Sequence, residues 1–261
     1  MVFPFQILRS VFAVVFRYHT AYIVRGKGGA VEQSDDGLWD RPRRGRRGPA
    51  PEFTLDRIAS AAMEIADADG LAAVTMRSVA AALGTGPASL YRYVRTRDEL
   101  IDLMVDAANG EIDCRRALSG DWLADLLALA SSSRRVYLRH PWMLETAETP
   151  RPIGPSAADY LEYVLAALAG VDVDTRTKME TVGVLNALVV MLTRAERTAA
   201  DREAAVGHER FFHRIIAGGA HPHLVAALAA GATEPVDEGP GEQFDRVVTR
   251  VLRGLIEPGG R

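Results

Sequence analysis

At 261 residues, with 48% hydrophobic and 25% charged side chains, the chain has the composition of an ordinary globular protein. That excludes wholesale disorder and leaves room for one large core or two modest ones. Its single cysteine, Cys114, excludes a disulfide within the chain and favours a reducing, cytoplasmic setting. The formal net charge of −3 hides an asymmetry: from Arg41 to Arg97 ten arginines meet five acidic residues, a balance of +5, while positions 98–261 carry −8. A basic segment ahead of an acidic bulk suits a protein of which one part meets a polyanion.

The chain opens on an apolar stretch, MVFPFQILRSVFAVVFRYHTAYIV, which Arg9 and Arg17 interrupt. The run from Ser10 to Phe16 is too short to cross a bilayer, which takes about 20 apolar residues. No small-residue cleavage pattern follows it, so neither a membrane partner nor export is expected. Residues 1–30 are read as a start placed too far upstream, with the working chain beginning near Val24 or Val31. Through DRPRRGRRGPAPE, Gly, Pro and Arg are too dense to bury apolar surface, so residues 1–50 are expected to form an extension ending in a flexible basic arm. The five arginines between 41 and 47 are read either as a solvated linker or as groups that lie along DNA phosphates or in a minor groove.

Helical signals then arrive in close order. Thr54 caps a helix to about Ala68, with Leu55, Ile58, Ala62, Ile65 and Ala66 on one face and Gly70 as the stop. Thr75 caps a second, with Val79 and Leu83 inward and Gly84 beyond its end. Pro87 suits the first turn of a third. Thr96 begins a fourth as a capping box with Glu99, followed by Leu100, Leu103, Met104 and Ala107. Positions 51–106 thus read as a compact all-α unit, and 107–261 as a larger helical one. In the latter, helices are expected over Asp121–His140, Ser156–Gly170, Thr175–Thr198, His208–Ala217 and Phe244–Ile256. Loops are expected from Glu148 to Ser156 and from Gly231 to Gly241.

Two later helices bear on assembly. Between Met179 and Leu192, Val182, Leu185, Val189 and Leu192 form one apolar side, and Val184, Leu188 and Met191 another. A helix with two apolar faces is buried on both. Paired with the closing helix, it would build a four-helix interface about a two-fold axis.

The segment MRSVAAALGTGPASLYRYV, Met76 to Val94, carries the chemistry. Two short helices joined by a tight turn form a helix-turn-helix, with small Ala80 at the crossing and Gly84 free to take a positive φ. Val79, Leu83 and Leu90 supply the shared apolar wedge. Pro87, Ala88, Ser89, Arg92 and Tyr93 are then free to face outward. Arginine reads guanine bidentately, serine meets either base type, alanine touches a thymine methyl, and tyrosine hydroxyls reach phosphates. The start of the next helix, with Thr96 and Arg97, is suited to hold a phosphate.

These residues resemble the DNA-binding domain of the TetR family of bacterial transcriptional regulators. The resemblance runs without a gap from about Thr54 to Asp106 and includes VTMRSVAAALG and SLYRYVRTRDEL. The remainder, from Trp122 through HPWMLE and the PIGPS loop, resembles the tetracycline-repressor-like C-terminal regulatory domain in helix order. The resemblance implies a homodimeric repressor on a palindromic operator in double-stranded DNA, released when a small-molecule effector enters the C-terminal domain. It implies a base-facing set of Pro87, Ala88, Ser89, Arg92 and Tyr93, and a phosphate-facing set of Thr75, Arg77, Tyr91, Thr96 and Arg97. Asp113 stands where the tetracycline repressors carry a drug-binding histidine, which argues against tetracycline itself. Trp122, Tyr137, Trp142, Tyr160, Tyr163 and Asn186 are the candidate pocket residues. The alternative is a constitutive or architectural DNA-binding regulator without a switch.

An enzyme is not expected. There is no G-x-S-x-G, H-E-x-x-H, P-loop or C-x-x-C, so no catalytic residue is assigned. His221 and His223 lie in a stretch read as a solvated loop and lack a third ligand, so neither a metal nor a cofactor is expected. Cys114 has no activating partner.

Overall fold

The Thr54 hydroxyl accepts the Arg57 N–H at 3.2 Å and opens helix α1 (Leu55–Asp69), which Gly70 ends, as its sequence predicts. This is a computed structural model, and it describes residues 38–39, 53–149, 151–199, 218, 221–231 and 238–257. A short 3-10 turn (Leu71–Ala73) leads to α2 (Met76–Ala82), α3 (Pro87–Leu90) and α4 (Arg97–Asn109). The body follows with α5 (Trp122–Arg139), α6 (Trp142–Thr146), α7 (Pro155–Ala167), α8 (Thr175–Ala199), α9 (Pro222–Gly231) and α10 (Pro240–Ile256). The described residues are all-α, without a strand among them. No helix among them is long and apolar enough to cross a membrane.

One continuous apolar core runs from Phe53 through α1–α5 and α7–α8 to Ile256. In the N-terminal part, Ile58, Ala62, Val79, Ala80, Leu90 and Val94 are fully buried. Helix α4 packs against α1 on one side and α7 on the other, so it passes through the expected boundary at 106 as a beam shared by head and body. Within the body α5, α8 and α10 pack on one another. Arg134 of α5 braces all three: Nε donates to Glu196 of α8 at 2.8 Å, and the guanidinium lies 5.7 Å from the Phe244 ring centroid. Such a paired, partly buried arginine adds geometric definition as well as energy.

The structure departs from the sequence reading in four places. The stretch holding His221 and His223, expected as a loop, begins α9: Pro222 stands at its first position, where the missing N–H costs nothing. Beyond Pro141, where the sequence reading placed no element, lies a further short helix, α6. Helix α10 begins at Pro240, four residues ahead of the expected Phe244. Leu38 and Trp39, inside the stretch expected to be a flexible arm, form a turn packed against the core. The arm arginines 41–47, residues 1–30 and the expected helix over 208–217 lie outside the described residues.

Candidate nucleic-acid interface and regulatory cavities

The helix-turn-helix is built from its capping groups outward. Thr75 and Ser78 cap reciprocally: Ser78 N–H donates to Thr75 Oγ1 at 3.0 Å, and Thr75 N–H to Ser78 Oγ at 2.9 Å. This fixes the start of α2, whose Val79 and Ala80 are buried. Gly84 takes φ 72°, a left-handed conformation that side chains with a Cβ adopt at a cost, so the turn stays tight. Pro87 then opens α3, and bonds from Tyr93 and Val94 N–H to the Leu90 carbonyl carry its helical turn onward to Val94. Leu90 and Val94 point inward and are fully buried.

Most of the base-facing set lies on the outer surface of α3. Pro87, Ala88 and Arg92 are exposed and Ser89 half-exposed, while Tyr91 keeps 52% of its surface. Thr75, Arg77 and Thr96 are exposed at the starts of α2 and α4. Thr96 caps α4 through Glu99 N–H at 3.0 Å. The reciprocal arm of the expected capping box shifts by one residue, because the Glu99 carboxylate takes the Arg95 N–H at 2.7 Å.

Two residues depart from their expected roles. Tyr93 turns its ring edge-on to Phe53, with centroids 6.4 Å apart, and its hydroxyl accepts the Phe53 N–H at 3.3 Å. It ties the recognition segment to the N-terminus of α1 instead of standing free above it. Arg97 donates from Nε to the Val74 carbonyl at 2.8 Å and from Nη2 to the Leu71 carbonyl at 2.7 Å. Its fork spans the 3-10 turn from the carbonyl of its first residue to that of the residue that caps its end, so those donors brace the head. Sequence position alone could not separate a guanidinium aimed at phosphate from one aimed at a carbonyl 23 residues away.

Two cavities border the body helices. The larger, about 360 Å³, lies between the end of α4 and α7, lined by Asn109, Ile112, Cys114, Arg115, Ser156, Asp159, Glu162 and Tyr163. The smaller, about 140 Å³, is lined by Asp113, Arg116, Leu129, Ser132, Arg135 and Tyr163. Of the candidate pocket residues Tyr163 borders both, and Asp113 borders the second. The other five candidates line neither. Tyr160 is buried between the helices, Trp122 and Tyr137 are half-buried against the core, and Trp142 spends its indole N–H on Asp67 at 2.8 Å. Asn186 is exposed on α8. The lining residues that sequence reasoning missed, Arg115, Arg116, Asp159 and Glu162 among them, lie on loops and outer helix faces with no periodic signal.

Electrostatics around the cavities follow from burial. Burial pushes the Cys114 thiol up to about 11, with Asp159 and Asp113 adding to the effect, so it stays a protonated, unreactive thiol. Burial also raises the Tyr160 hydroxyl well above the ordinary tyrosine range. Ser133 of α5, whose hydroxyl donates to the Leu129 carbonyl at 2.9 Å, lies beside that hydroxyl and partly offsets the rise. Asp106, on α4, is raised by burial although the Ala157 and Ser156 donors at the start of α7 pull it down. Among the described residues, no group of three or more His, Cys, Asp or Glu side chains is placed to hold a metal ion.

Two family models match this arrangement: "Bacterial regulatory proteins, tetR family" over residues 58–104, and "Tetracyclin repressor-like, C-terminal domain" over residues 117–257. The chain is 34% identical over 248 residues to the HTH-type transcriptional repressor DrrR1 of Streptomyces coeruleorubidus, covering 88% of this chain and 90% of that protein. It is 37% identical over 145 residues to an HTH-type transcriptional regulator of Saccharopolyspora erythraea, covering 56% of this chain and 61% of the relative. Among solved structures it resembles ActR from Streptomyces coelicolor in complex with actinorhodin, at 28% identity and TM-score 0.69, covering 81% of this chain and 99% of that one. The apo form of ActR matches with TM-score 0.67, covering 80% and 97%.

Proposed function

We propose, from the premise that the chain belongs to the tetR family of bacterial regulatory proteins, that it is a transcriptional repressor that binds a palindromic operator as a homodimer and is released by a small organic effector. The observation that carries this is the α2–α3 unit, which presents Pro87, Ala88, Ser89 and Arg92 on one outer face between two capped helix starts. Helix N-termini offer backbone donors to phosphates while side chains between them meet base edges. In a dimer, two such faces would enter successive major grooves about 34–36 Å apart.

Release by a small molecule is supported by the larger cavity, which reaches from the end of α4 to α7, and by the smaller one between α5 and α7. It is supported also by ActR, which is seen both alone and with actinorhodin. An effector changes the equilibrium only if it binds the DNA-releasing state more tightly than the DNA-binding one. Catalysis has no place in this function, and neither a cofactor nor a metal is required.

Selection of bound duplexes from a random pool, followed by a small-molecule screen for release, tests both parts. A palindrome with half-sites one helical turn apart is the expected product; a pool with no enriched sequence would sink the DNA-binding assignment. Binding that no compound reverses would instead leave a constitutive regulator.

A further inference from the structure

His140, at the C-terminal end of α5, is 4% exposed, and both of its ring nitrogens face carboxylates. Nδ1 lies 2.8 Å from Asp67 Oδ1, and Nε2 lies 3.2 Å from Glu111 Oε2. Asp67 belongs to the last turn of α1, in the head, and Glu111 follows the end of α4. The same Asp67 oxygen accepts the indole N–H of Trp142, from α6, at 2.8 Å. Hydrogen bonds thus join α1 of the head directly to α5 and α6 of the body, beside the path that runs through α4.

The chemistry of this joint depends on one proton. An imidazolium donates from both nitrogens and satisfies both carboxylates at once. A neutral imidazole donates from one nitrogen only and turns a lone pair toward the other carboxylate, so one tie becomes a repulsion. The charged groups around it are few: Asp67 from α1, Glu111 from the turn after α4, and Arg139 from α5, which pairs with Glu111 at 2.8 Å. Trp142 contributes a neutral donor and a ring whose centroid lies 5.8 Å from the imidazole. From Phe53 to Asn109 the sequence holds no histidine, so the head has no imidazole of its own that titrates near neutrality.

We propose that Asp67, His140 and Glu111 form a proton-responsive clasp that sets the orientation of the head on the body, and through it the affinity for DNA. Asp67 and His140 are positioning residues; neither lies on the DNA-facing surface. The clasp is closed when the imidazole carries both protons and loosens as pH rises and one is lost. The proposal rests on the DNA-binding function argued above, and the experiment separates the two.

The test uses the full-length protein and the duplex it selects from a random pool, with affinity measured by fluorescence anisotropy at fixed ionic strength from about pH 5.5 to 8.5. For the wild type a monotonic change of about threefold to tenfold is expected, a share of one charge-assisted hydrogen bond. His140→Gln keeps a donor and an acceptor but no titrating group, and Asp67→Asn removes the charge that favours the imidazolium. Both are expected to flatten the profile. Trp142→Phe, which removes the indole tie to Asp67 but keeps an aromatic ring beside the imidazole and both of its carboxylates, is expected to keep the pH dependence whatever it does to affinity. Should His140→Gln fail to show native helix content, Glu111→Gln carries the same comparison. A flat wild-type profile, or a profile unchanged in the variants, overturns the clasp. A pool that yields no selected duplex counts against the DNA-binding function instead.

Discussion

Arg92 and Arg97 stand five positions apart and differ in what the fold leaves them to do. Arg92 is exposed in the turn just beyond α3, where its Nε donates to the Ser89 carbonyl at 3.5 Å. Two Arg97 donors are spent on the Val74 and Leu71 carbonyls. Truncating Arg92 to alanine is expected to weaken operator binding by about 1–3 kcal/mol and relax the preference at one base pair. Arg97→Ala is expected to lower the stability of the free protein by about 1–2 kcal/mol, since two carbonyls lose a charged donor. Thermal unfolding of both variants, beside anisotropy with the selected duplex, checks the assignment. An unaltered melting temperature in Arg97→Ala would return that side chain to the phosphate-facing set.

At the scale of elements, α4 and α7 are locked by one carboxylate. Asp106 accepts the Ser156 N–H at 3.0 Å, the Ser156 hydroxyl at 3.2 Å and the Ala157 N–H at 3.3 Å, and so caps a helix whose own N-cap, Gly154, has no side chain. A Cβ at Gly154 would overlap that carboxylate, so the glycine permits the approach. Because α7 lines the larger cavity and α4 leads into the head, this cap links the wall of that cavity to the helix-turn-helix. Asp106→Ala is expected to cost about 2–3 kcal/mol, leaving the first N–H groups of α7 buried without partners, and Asp106→Asn less, since its carbonyl still accepts. Burial raises the folded-state pKa of Asp106, so its protonated form is favoured in the native protein and the stability it contributes is fully present in acid and lost as pH rises through that pKa. Asparagine lacks this gain, so the deficit of Asp106→Asn relative to wild type should be larger near pH 4 than at pH 7 in urea titrations. The helix-turn-helix was legible in the sequence because its rules are local: a threonine cap, a small residue at the crossing, a glycine in the turn, a proline at a first helical position. The Tyr93–Phe53 contact, the Arg97 brace and the Asp106 cap were not, because each joins residues 23 to 51 positions apart through a geometry that only packing defines. Helix α9 was missed for another reason: Pro222 and two histidines read as loop punctuation, while proline at a first position equally starts a helix.

For the molecule as a whole, the charge asymmetry and the second face of α8 point the same way. The basic balance of +5 lies between 41 and 97 and positions 98–261 carry −8, a division that suits a chain of which one part meets a polyanion. On α8, Val182, Leu185 and Val189 are buried in the chain's own core, whereas Met191 keeps 57% of its surface and Val184 and Leu188 are half-buried. On α10, Phe244, Val248, Leu252 and Ile256 are inward, leaving Val247, Val251 and Leu255 partly open beside α8. Packed against a second copy, these two strips would form a four-helix interface, the arrangement that brings two identical heads to two identical half-sites. Leu188→Glu with Met191→Glu places two like charges at its centre, where leaving them unpaired costs several kcal/mol, about 3–5 for each buried charge. The double variant is expected to sediment as a monomer with its helix content retained. Its affinity for the full palindrome should fall to that of the wild type for a single half-site. A double variant that still sediments as a dimer at the wild-type concentration would place the interface on another face of the body.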